Sequence, residues 1–429
     1  MAENSVDPIE NTNWKRPFFQ VWIGQAISLL GSQLVQFALV WHLTRETGSA
    51  TVLATATLVA MLPQILIGPL AGSVVDRNQR KRILVLADSG IALATLCLAV
   101  LFALGWVQIW HIYVLMLVRS FGQAFHSPAM TASTSLMVPK EHLTRIQGIN
   151  HTLNGGLNIV SAPLGALLLE LLPMQGVLAI DVVTALVAVL AVLPIAIPQP
   201  ARQANGVQGK PATFWEDFRE GFRYVLSWPG LLVVLVMAAL INFLLTPAGA
   251  LLPLLVTKHF GKGVLELGWL QSVWGIGALL GGVLLGVWGG FKKRIITVFT
   301  GLIGLGLSAA SIGLFPPNLF TGALGAFFLT GLMGPVVNGS LGAVMQASVD
   351  PSRQGRVFTL LGSLATAMTP LGLLVAGPVA DRLGVQIWYL IGGGLCALMG
   401  VLGFFIRPVM ALEQGHPGDK KVAAVAEAA

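Results

Sequence analysis

The chain has 429 residues, of which 55% are hydrophobic and only 10% charged, and its net charge at pH 7 is +7. Soluble proteins carry about 25% charged residues, so this chain has too few charges to cover a globular surface, and a soluble enzyme is excluded. We therefore expect an integral membrane protein. Since each span needs roughly 20 apolar residues plus a loop, the length leaves room for about 12 to 14 spans.

Twelve apolar runs follow one another along the chain, and each is long enough to cross a bilayer as a helix. The alternating pattern of about ten residues that marks the strands of a membrane barrel does not recur. The sequence therefore predicts an all-α membrane protein with twelve transmembrane helices. The predicted spans are residues 18–41, 50–74, 83–104, 110–136, 146–170, 174–197, 230–256, 265–289, 295–314, 319–347, 355–380 and 385–406.

The longest break between spans divides the twelve helices into two groups of six. Its first part is rich in Gln, Asn and Gly and predicts a flexible linker, and the stretch from Phe214 to Arg219 predicts a short amphipathic helix on the inner membrane surface. The polar C-terminal tail is expected to be disordered. The expected domains are an N-terminal bundle at 1–197, the linker at 198–229, a C-terminal bundle at 230–406 and the tail at 407–429.

Lys and Arg residues are distributed unevenly between the two sides of the predicted spans. With the N-terminus inside, twenty of the 25 Lys and Arg residues fall on the inner side, four fall on the outer side, and Arg119 lies within a span. Because cytoplasmic loops are enriched in these residues, both termini are predicted to be cytoplasmic. This distribution accounts for the basic charge, and no nucleic-acid partner is predicted.

Short motifs recur at fixed distances along the chain. The sequence Pro163-Leu164-Gly165 returns 207 residues later as Pro370-Leu371-Gly372, which indicates that the two halves repeat. Within the first half, Asp88 and its surroundings return 93 residues later at Asp181, and Pro69 returns 94 residues later at Pro163. An odd number of spans separates these copies, so they have opposite orientations. The pattern predicts inverted repeats of three helices within each six-helix half.

The loop after the second span combines a glycine and an acid with several cations. A carboxylate among cations at the membrane surface can form a clasp that opens and closes, which suggests a cytoplasmic gate. The alternative is that the cations only follow the inner-side preference of Lys and Arg. The candidate gate residues are Gly72, Asp76, Arg77, Arg80 and Lys81.

Polar residues follow one face of several apolar spans. Arg119 is costly within a membrane, by about 2.5–3.5 kcal/mol on insertion scales, and needs a partner or a water-filled cavity. The remaining polar residues at helical spacing predict a shared aqueous cavity, or alternatively hydrogen bonds between helices. The candidate cavity residues are Gln25, Ser28, Ser32 and Gln36 on the first span, Gln123 and His126 on the fourth, and His151, Asn154 and Asn158 on the fifth.

Two acids, Asp88 and Asp181, lie inside spans at equivalent places of the repeat. Their equivalence favours a shared structural task, and proton coupling is the alternative. The helices of Arg119 and Asp181 both enter the membrane from the outer side, and the two residues lie at nearly the same distance from that side. Asp181 is therefore the best candidate partner for Arg119. Arg119, Asp181 and Asp88 are the candidates for coupling to protons.

Sequence motifs of enzymes and of metal or nucleotide sites were not found. The chain has no phosphate-binding Gly-rich loop ending in Gly-Lys-Ser/Thr, no nucleophile elbow and no His/Cys cluster with metal-ligand spacing. No cofactor, metal or ATP-driven mechanism is therefore predicted.

Several motifs together resemble those of one transporter family. They are Trp22-Ile-Gly24-Gln25, Thr47-Gly48-Ser49-Ala50, Asp76-Arg77-x-x-Arg80-Lys81, Arg119-Ser120-x-Gly122-x-Ala124-Phe125-His126, Ile180-Asp181 and Gly355-Arg356-Val357-Phe358. From about residue 13 to 405, the chain resembles the macrolide-efflux branch of the major facilitator superfamily and, more distantly, the enterobactin exporters. Where the gate signature of the superfamily has a glycine, this chain has Gln79. The fifth span resembles an exporter signature through Gly155, Pro163 and Gly165, with alanines at two of its positions.

This resemblance implies a twelve-helix exporter driven by proton antiport, and it does not identify a macrolide as the substrate. We expect a monomer in the plasma membrane that carries amphipathic, drug-like compounds of the macrolide type. A central cavity between the two halves would open to each side in turn. Export of a siderophore or another metabolite, and import by the same fold, remain alternatives within this class. A receptor or a membrane-embedded enzyme is the alternative outside it.

Overall fold

The computed structural model of the protein describes residues 14–199, 214–349 and 354–415. Within these ranges the chain forms helices and no strand, and each of the twelve predicted spans corresponds to one long helix, which confirms the predicted fold class. The first half contains α1 (Lys15–Thr47), α2 (Ala50–Arg77), α3 (Arg80–Ala103), α4 (Ile109–Met137), α5 (Leu143–Leu171) and α6 (Met174–Val192). The second contains α8 (Pro229–Ala250), α9 (Val264–Trp288), α10 (Arg294–Leu314), α11 (Phe320–Ser348), α12 (Gln354–Leu383) and α13 (Val385–Gly403), and α7 (Phe214–Ser227) precedes it.

Eleven of the helices in the described residues are long and apolar enough to cross a membrane. The remaining long helix, α4, has 29 residues and carries Arg119, Gln123 and His126 near its middle. These polar side chains lower its hydropathy without shortening it.

Two predicted spans are longer than the helices that form, and proline accounts for both differences. The sixth span was expected to reach residue 197, but α6 ends at Val192, two residues before Pro194. The seventh was expected to reach residue 256, but α8 ends at Ala250 and the chain continues in short helical pieces around Pro253. Proline removes a backbone donor and restricts the residue before it, so a regular helix ends nearby.

The chain divides into two compact units. The first consists of Met1–Leu39, Val59–Leu157 and Leu168–Ala204, and the second of Val40–Leu58, Asn158–Leu167 and Asn205–Ala429. In the first unit α3 packs against both α4 and α6. This packing brings the two repeat-related acids of α3 and α6 into one bundle.

Small residues set the helix spacing in the second unit. A side chain at Gly306 of α10 would overlap the backbone of α13 at Gly393 and Ala397, and a side chain at Gly393 would overlap α10 in return. Small residues let membrane helices approach closely enough for backbone and side-chain packing to hold them together. The abundance of glycine in this unit therefore serves helix contact.

The expectation of a disordered tail is wrong for residues 407–415. Short helical pieces at Arg407–Met410 and Leu412–Gln414 pack onto the second unit, and the side chains of Val409 and Leu412 are fully buried. The backbone N–H of Ile295 donates to Glu413 Oε1 at 2.7 Å, at the start of α10. Because the first amides of a helix lack partners within it, this contact fixes the segment to a defined place. Residues 416–429 lie outside the described residues.

Candidate functional site

A cavity of about 380 Å³ lies within the first unit, bordered by α1, α3, α4, α5 and α6. Its wall contains hydroxyl and amide side chains as well as apolar ones. Most of the predicted cavity residues meet here. Those that line it are Gln25, Ser28, Ser32, Gln123, His126 and Asn154, together with Asp88.

Three predicted cavity residues do not line this space. Gln36 is half-buried farther along α1, His151 is exposed on α5, and Asn158 is exposed in the part of α5 that belongs to the second unit. The helical spacing on which they were selected identifies a face of each helix. It does not say how far along the helix the cavity extends.

Sequence reasoning missed several lining residues on α1, α4 and α5. Trp22 donates from Nε1 to Asn150 Oδ1 at 2.7 Å, and Gln147, Asn150 and Thr131 border the same cavity. Gln147, Asn150 and Asn154 are three and four residues apart, which is the spacing of one helix face. This spacing could have identified Gln147 and Asn150 as cavity residues from the sequence.

A second, wider cleft of about 730 Å³ lies between α2 and α4. Gln123, Ser127 and Thr131 of α4 border both spaces, so the two adjoin along this helix face. Gly68 and Gly72 of α2 form part of the opposite wall, and a side chain at either would meet no other atom. The absence of side chains there widens the cleft.

Arg119 and Asp181 form a buried ion pair, as their matching depth predicted. Arg119 Nη1 lies 2.5 Å from Asp181 Oδ2, with only 10% and 1% of the two side chains exposed. Arg119 also donates to the Thr95 hydroxyl at 3.2 Å and to the Ser32 carbonyl at 3.1 Å. Ser32 donates through its hydroxyl to Asp181 Oδ1 at 3.2 Å. The costly charge is thus paired with an anion and makes two further hydrogen bonds.

Asp88 has a different set of partners. Gln25 Nε2 donates to Asp88 Oδ2 at 2.8 Å, and His126 Nε2 lies 3.4 Å from Asp88 Oδ1. Gln25 Oε1 lies 2.8 Å from the same His126 nitrogen. An amide oxygen can only accept, so that nitrogen carries a hydrogen. The acid is therefore surrounded by a neutral amide and an imidazole, with no guanidinium or ammonium among these contacts.

The two acid clusters are related by the internal repeat. In each, the acid contacts one side chain from its own three-helix repeat and at least one from the other repeat, and Asp181 also accepts from the Thr95 hydroxyl. The residues that occupy equivalent places are 93 or 94 positions apart, the same distances that separate the repeated motifs. The equivalent pairs are Gln25 with Arg119, Ser32 with His126, and Asp88 with Asp181. The two clusters thus share one geometry, with a neutral amide in one where the other has a cation.

The predicted gate residues lie at one end of the first unit. Arg80 Nη1 donates to the Ala132 carbonyl of α4 at 3.1 Å, and Lys81 Nζ donates to the Leu193 carbonyl at the end of α6 at 2.5 Å. Cations beside helix C-termini are stabilised by the unpaired carbonyls there. Arg77 is exposed. The side chain of Asp76 lies outside the described residues.

The exporter-like motif on α5 is shared between the two units. Gly155 belongs to the first unit, whereas Pro163 and Gly165 belong to the second. There, a side chain at Gly268 of α9 would meet the α carbon of Pro163 at 3.0 Å. The proline therefore lies at a close approach between α5 and α9.

Asp381, at the end of α12, caps the start of α2 within the second unit. Asp381 Oδ1 accepts from the Ala50 amide at 2.6 Å, and Oδ2 accepts from the Thr51 amide at 3.0 Å. The hydroxyls of Ser49 and Thr51 also donate to Oδ2, at 3.0 and 2.7 Å. The sequence analysis did not predict these contacts.

Comparison with known proteins agrees with this architecture. The chain is 34% identical over 401 residues to macrolide efflux protein A of Streptococcus pyogenes, covering 94% of this chain and 98% of that protein. It is 33% identical over 326 residues to macrolide efflux protein A of Enterococcus faecalis, covering 76% and 100%. It is 26% identical over 414 residues to the multidrug efflux pump Tap of Mycolicibacterium fortuitum, covering 94% and 98%.

Solved structures share the fold at low sequence identity. The nucleoside transporter NupG matches with a TM-score of 0.74 and 14% identity, covering 92% of this chain and all of that one. A bacterial homologue of the human lysosomal transporter Spinster matches with a TM-score of 0.68 and 14% identity, covering 94% and 97%. The family profile described as Major Facilitator Superfamily matches residues 21–248 and 246–427. With both halves matched, the chain belongs to the Major Facilitator Superfamily and is a membrane transporter of small molecules.

Proposed function

We propose that the protein exports amphipathic, drug-like compounds of the macrolide type in exchange for protons, by alternating access. The observation that carries this proposal is the 34% identity over 401 residues to a macrolide efflux protein. The cavity of the first unit fits such a role, because it combines apolar wall positions with a few amides that can orient a ligand. The proposal places the protein in the plasma membrane as a monomer, with both termini cytoplasmic.

Proton coupling is assigned to the two acid clusters. The Arg119–Asp181 pair would part and re-form as the carrier changes conformation, so that Asp181 takes up a proton when the guanidinium moves away. Asp88 is the second proton site, because it borders the cavity and lacks a bound cation. The alternative is that the Arg119–Asp181 pair is purely structural.

The gate function is assigned to the loop between α2 and α3. Asp76, with Arg80 and Lys81, would lock the cytoplasmic side while the carrier is open to the outside. The halves at 1–197 and 230–406 would rock about the central cavity. The expected effect of Asp76→Asn is normal insertion with impaired transport.

Drug accumulation in cells tests the proposed export. Cells with and without the protein are compared for a panel of macrolides, dyes and siderophores, with and without a protonophore. Export predicts lower macrolide accumulation with the protein, and the difference disappears with the protonophore. Unchanged macrolide accumulation alongside lower siderophore accumulation would favour the alternative exporter. Higher accumulation would favour import, which counterflow in inverted vesicles tests directly.

Reconstituted variants test the coupling residues. Arg119→Gln, Asp181→Asn and the double variant are compared with the unaltered protein for proton-driven uptake into proteoliposomes. The proposal predicts loss of proton-driven transport with substrate binding retained. Normal proton-driven transport by Arg119→Gln would exclude the pair from coupling.

A further inference from the structure

Asp88 is the acid that borders the cavity in the first unit, and no Lys or Arg borders the cavity with it. Among the described residues that border this cavity, Asp88 is the sole carboxylate, His126 is the other titratable side chain, and no Lys or Arg is present. The contributions of α1 and α5 are hydroxyls, amides, Trp22 and apolar side chains, and α6 contributes Ala185. Arg119, the cation in the middle part of α4, is held by Asp181.

The distance along the helices keeps the charge of Arg119 away from Asp88. Asp88 is contacted by Gln25 and Asp181 by Ser32, and these two residues are seven positions apart on α1. Seven residues of an α-helix span about 10 Å. Arg119 and His126 are likewise seven apart on α4. The Arg119 guanidinium therefore pairs with Asp181, and Asp88 is left without a cation from this side chain.

The internal repeat relates the residue that supplies a cation to one acid to a residue that supplies a neutral amide to the other. Arg119 and Gln25 are equivalent, 94 residues apart, and each contacts the acid of its own repeat. Asp181 is thus matched by a built-in guanidinium, whereas Asp88 is matched by a neutral amide in the same place. A carboxylate offers acceptor positions for about four hydrogen bonds, and Asp88 uses one at normal distance and one longer contact with His126.

We propose that Asp88 binds the protonated amine of a cationic substrate through the acceptor positions of its carboxylate that Gln25 leaves open, so that the amine supplies the positive charge that Arg119 supplies to Asp181. Gln25 holds the carboxylate in position, Trp22 offers an aromatic face to the cation from the same wall, and the amides of α5 orient the rest of the ligand. The volume of about 380 Å³ accommodates the amine-bearing end of a large molecule. The proposal rests on the proposed export function and specifies its substrates as amphipathic amines.

Exchange with protons follows from the use of a single carboxylate. A proton on Asp88, or on His126 beside it, supplies the positive charge that the substrate amine would otherwise supply. The two cannot both be bound at full strength, because a protonated Asp88 is neutral and no longer attracts the ammonium group. Binding of the amine therefore favours release of the proton, which is what an antiporter requires.

Binding of a matched pair of ligands tests the proposal. The probes are a radiolabelled macrolide with a tertiary amine and the same macrolide demethylated and acetylated at that nitrogen, which is neutral. The purified protein should bind the amine form about tenfold or more tighter, as expected for a hydrogen bond between charged groups. Asp88→Asn should remove this preference and leave the affinity for the neutral form unchanged.

The repeat supplies a second variant and its control. Gln25→Arg places a guanidinium at the position equivalent to Arg119, so it should remove the preference for the amine form in the same way. Gln20→Arg adds the same charge at an exposed position of α1 that does not border the cavity, so the preference should remain. Binding of the neutral form shows that each variant keeps an intact cavity. If Gln25→Arg binds neither form, its cavity is no longer intact, and the result for Asp88→Asn decides whether the inference holds.

Equal binding of both forms by the unaltered protein, or an unchanged preference in Asp88→Asn, would overturn the inference and leave macrolide export standing. Binding of neither form by the unaltered protein would overturn the proposed substrate class, and the inference with it.

Discussion

Arg119 and Asp181 are held by more than their opposite charges. The guanidinium reaches the carboxylate with one nitrogen and the Ser32 carbonyl with the other. A planar guanidinium can make both contacts at once, whereas a lysine ammonium is a single point of charge. The pair therefore joins α1, α4 and α6 at one place in the first unit.

The alternative that this pair is purely structural makes its own forecast, in which removing one partner costs more than removing both. Arg119→Gln leaves the nearly inaccessible Asp181 without its cation, and Asp181→Asn leaves the arginine without its anion. Each is expected to lower the free energy of unfolding by about 3–5 kcal/mol, because an unpaired buried charge is strongly destabilising. The double variant should recover part of the loss. Thermal unfolding of the purified variants measures this, and equal or additive losses would contradict it.

The sequence predicted that Arg119 and Asp181 pair, but it gave no prediction for the partners of Asp88. Depth in the membrane was enough to match Arg119 with Asp181, because a buried cation restricts its partners strongly. Asp88 carries no such restriction, and its contacts with Gln25 and His126 depend on which faces of α1 and α4 meet. The 94-residue offset relates Gln25 to Arg119 and Ser32 to His126, so the repeat contained information about these contacts that the motif search did not use.

The first turn of α2 depends on a side chain more than 300 positions away in the sequence. Asp381 accepts two backbone amides and two hydroxyls from residues 49–51. Gly377, one turn earlier on α12, permits the approach, because a side chain there would meet the α carbon of Thr51 at 2.9 Å. An acid at a helix N-terminus also faces the positive end of the helix dipole.

Alanine at this position should weaken the attachment of α2 to α12. Asp381→Ala is expected to cost about 1 kcal/mol, the typical value for losing a helix cap. Arg382→Ala, at the exposed neighbouring position, should have little effect and serves as the control. The unfolding midpoints of the two variants are compared, and an unchanged midpoint for Asp381→Ala would show that water replaces the carboxylate without loss.

The segment from Arg407 to Gly415 is held to the second unit by two buried side chains. Leu412→Ala should lower the free energy of unfolding by about 2–5 kcal/mol, the range for a leucine removed from a packed interior. Leu402→Ala makes the same chemical change on a side chain that is half exposed, so its cost should be much smaller. Denaturant or thermal unfolding compares the two, and similar losses would contradict the packing of this segment.

The wrong expectation for this segment has a physical cause. Arg407, Pro408, Glu413 and Gln414 give it a polar composition, and composition was the basis for expecting disorder. Val409 and Leu412 are three residues apart and fall on one face, but so short a stretch has no helical stability of its own. Its structure comes from docking onto α8 and α10, which a sequence pattern does not show.

At the level of the whole chain, the fold was predictable because the membrane limits the choices. Backbone groups in lipid must be paired within the segment, so twelve apolar runs can form only helices. The offsets of 207, 94 and 93 residues then gave the repeat plan. The division into two units was not predictable, because residues 40–58 and 158–167 belong to the second unit although they lie in first-half helices.

Membrane orientation is the remaining property of the whole molecule that the charges predict. Twenty of the 25 Lys and Arg residues fall on one side of the predicted spans and four on the other. A bias of this size sets the orientation of a multi-helix protein, because positively charged loops are retained in the cytoplasm. The loop that contains Lys210 should therefore face the cytoplasm, and the turn that contains Lys262 should face the outside.

Labelling of single cysteines tests this orientation. The background is Cys97→Ala with Cys396→Ala, so that each introduced cysteine is the single thiol of the chain. Lys210→Cys, at a position outside the described residues, should react with a membrane-impermeant maleimide only in inverted vesicles. Lys262→Cys, at an exposed position, should react only in intact cells. Permeabilised cells, in which both must react, are the control. The reverse pattern would place the termini outside, and labelling of both positions from one side would contradict an odd number of spans between them.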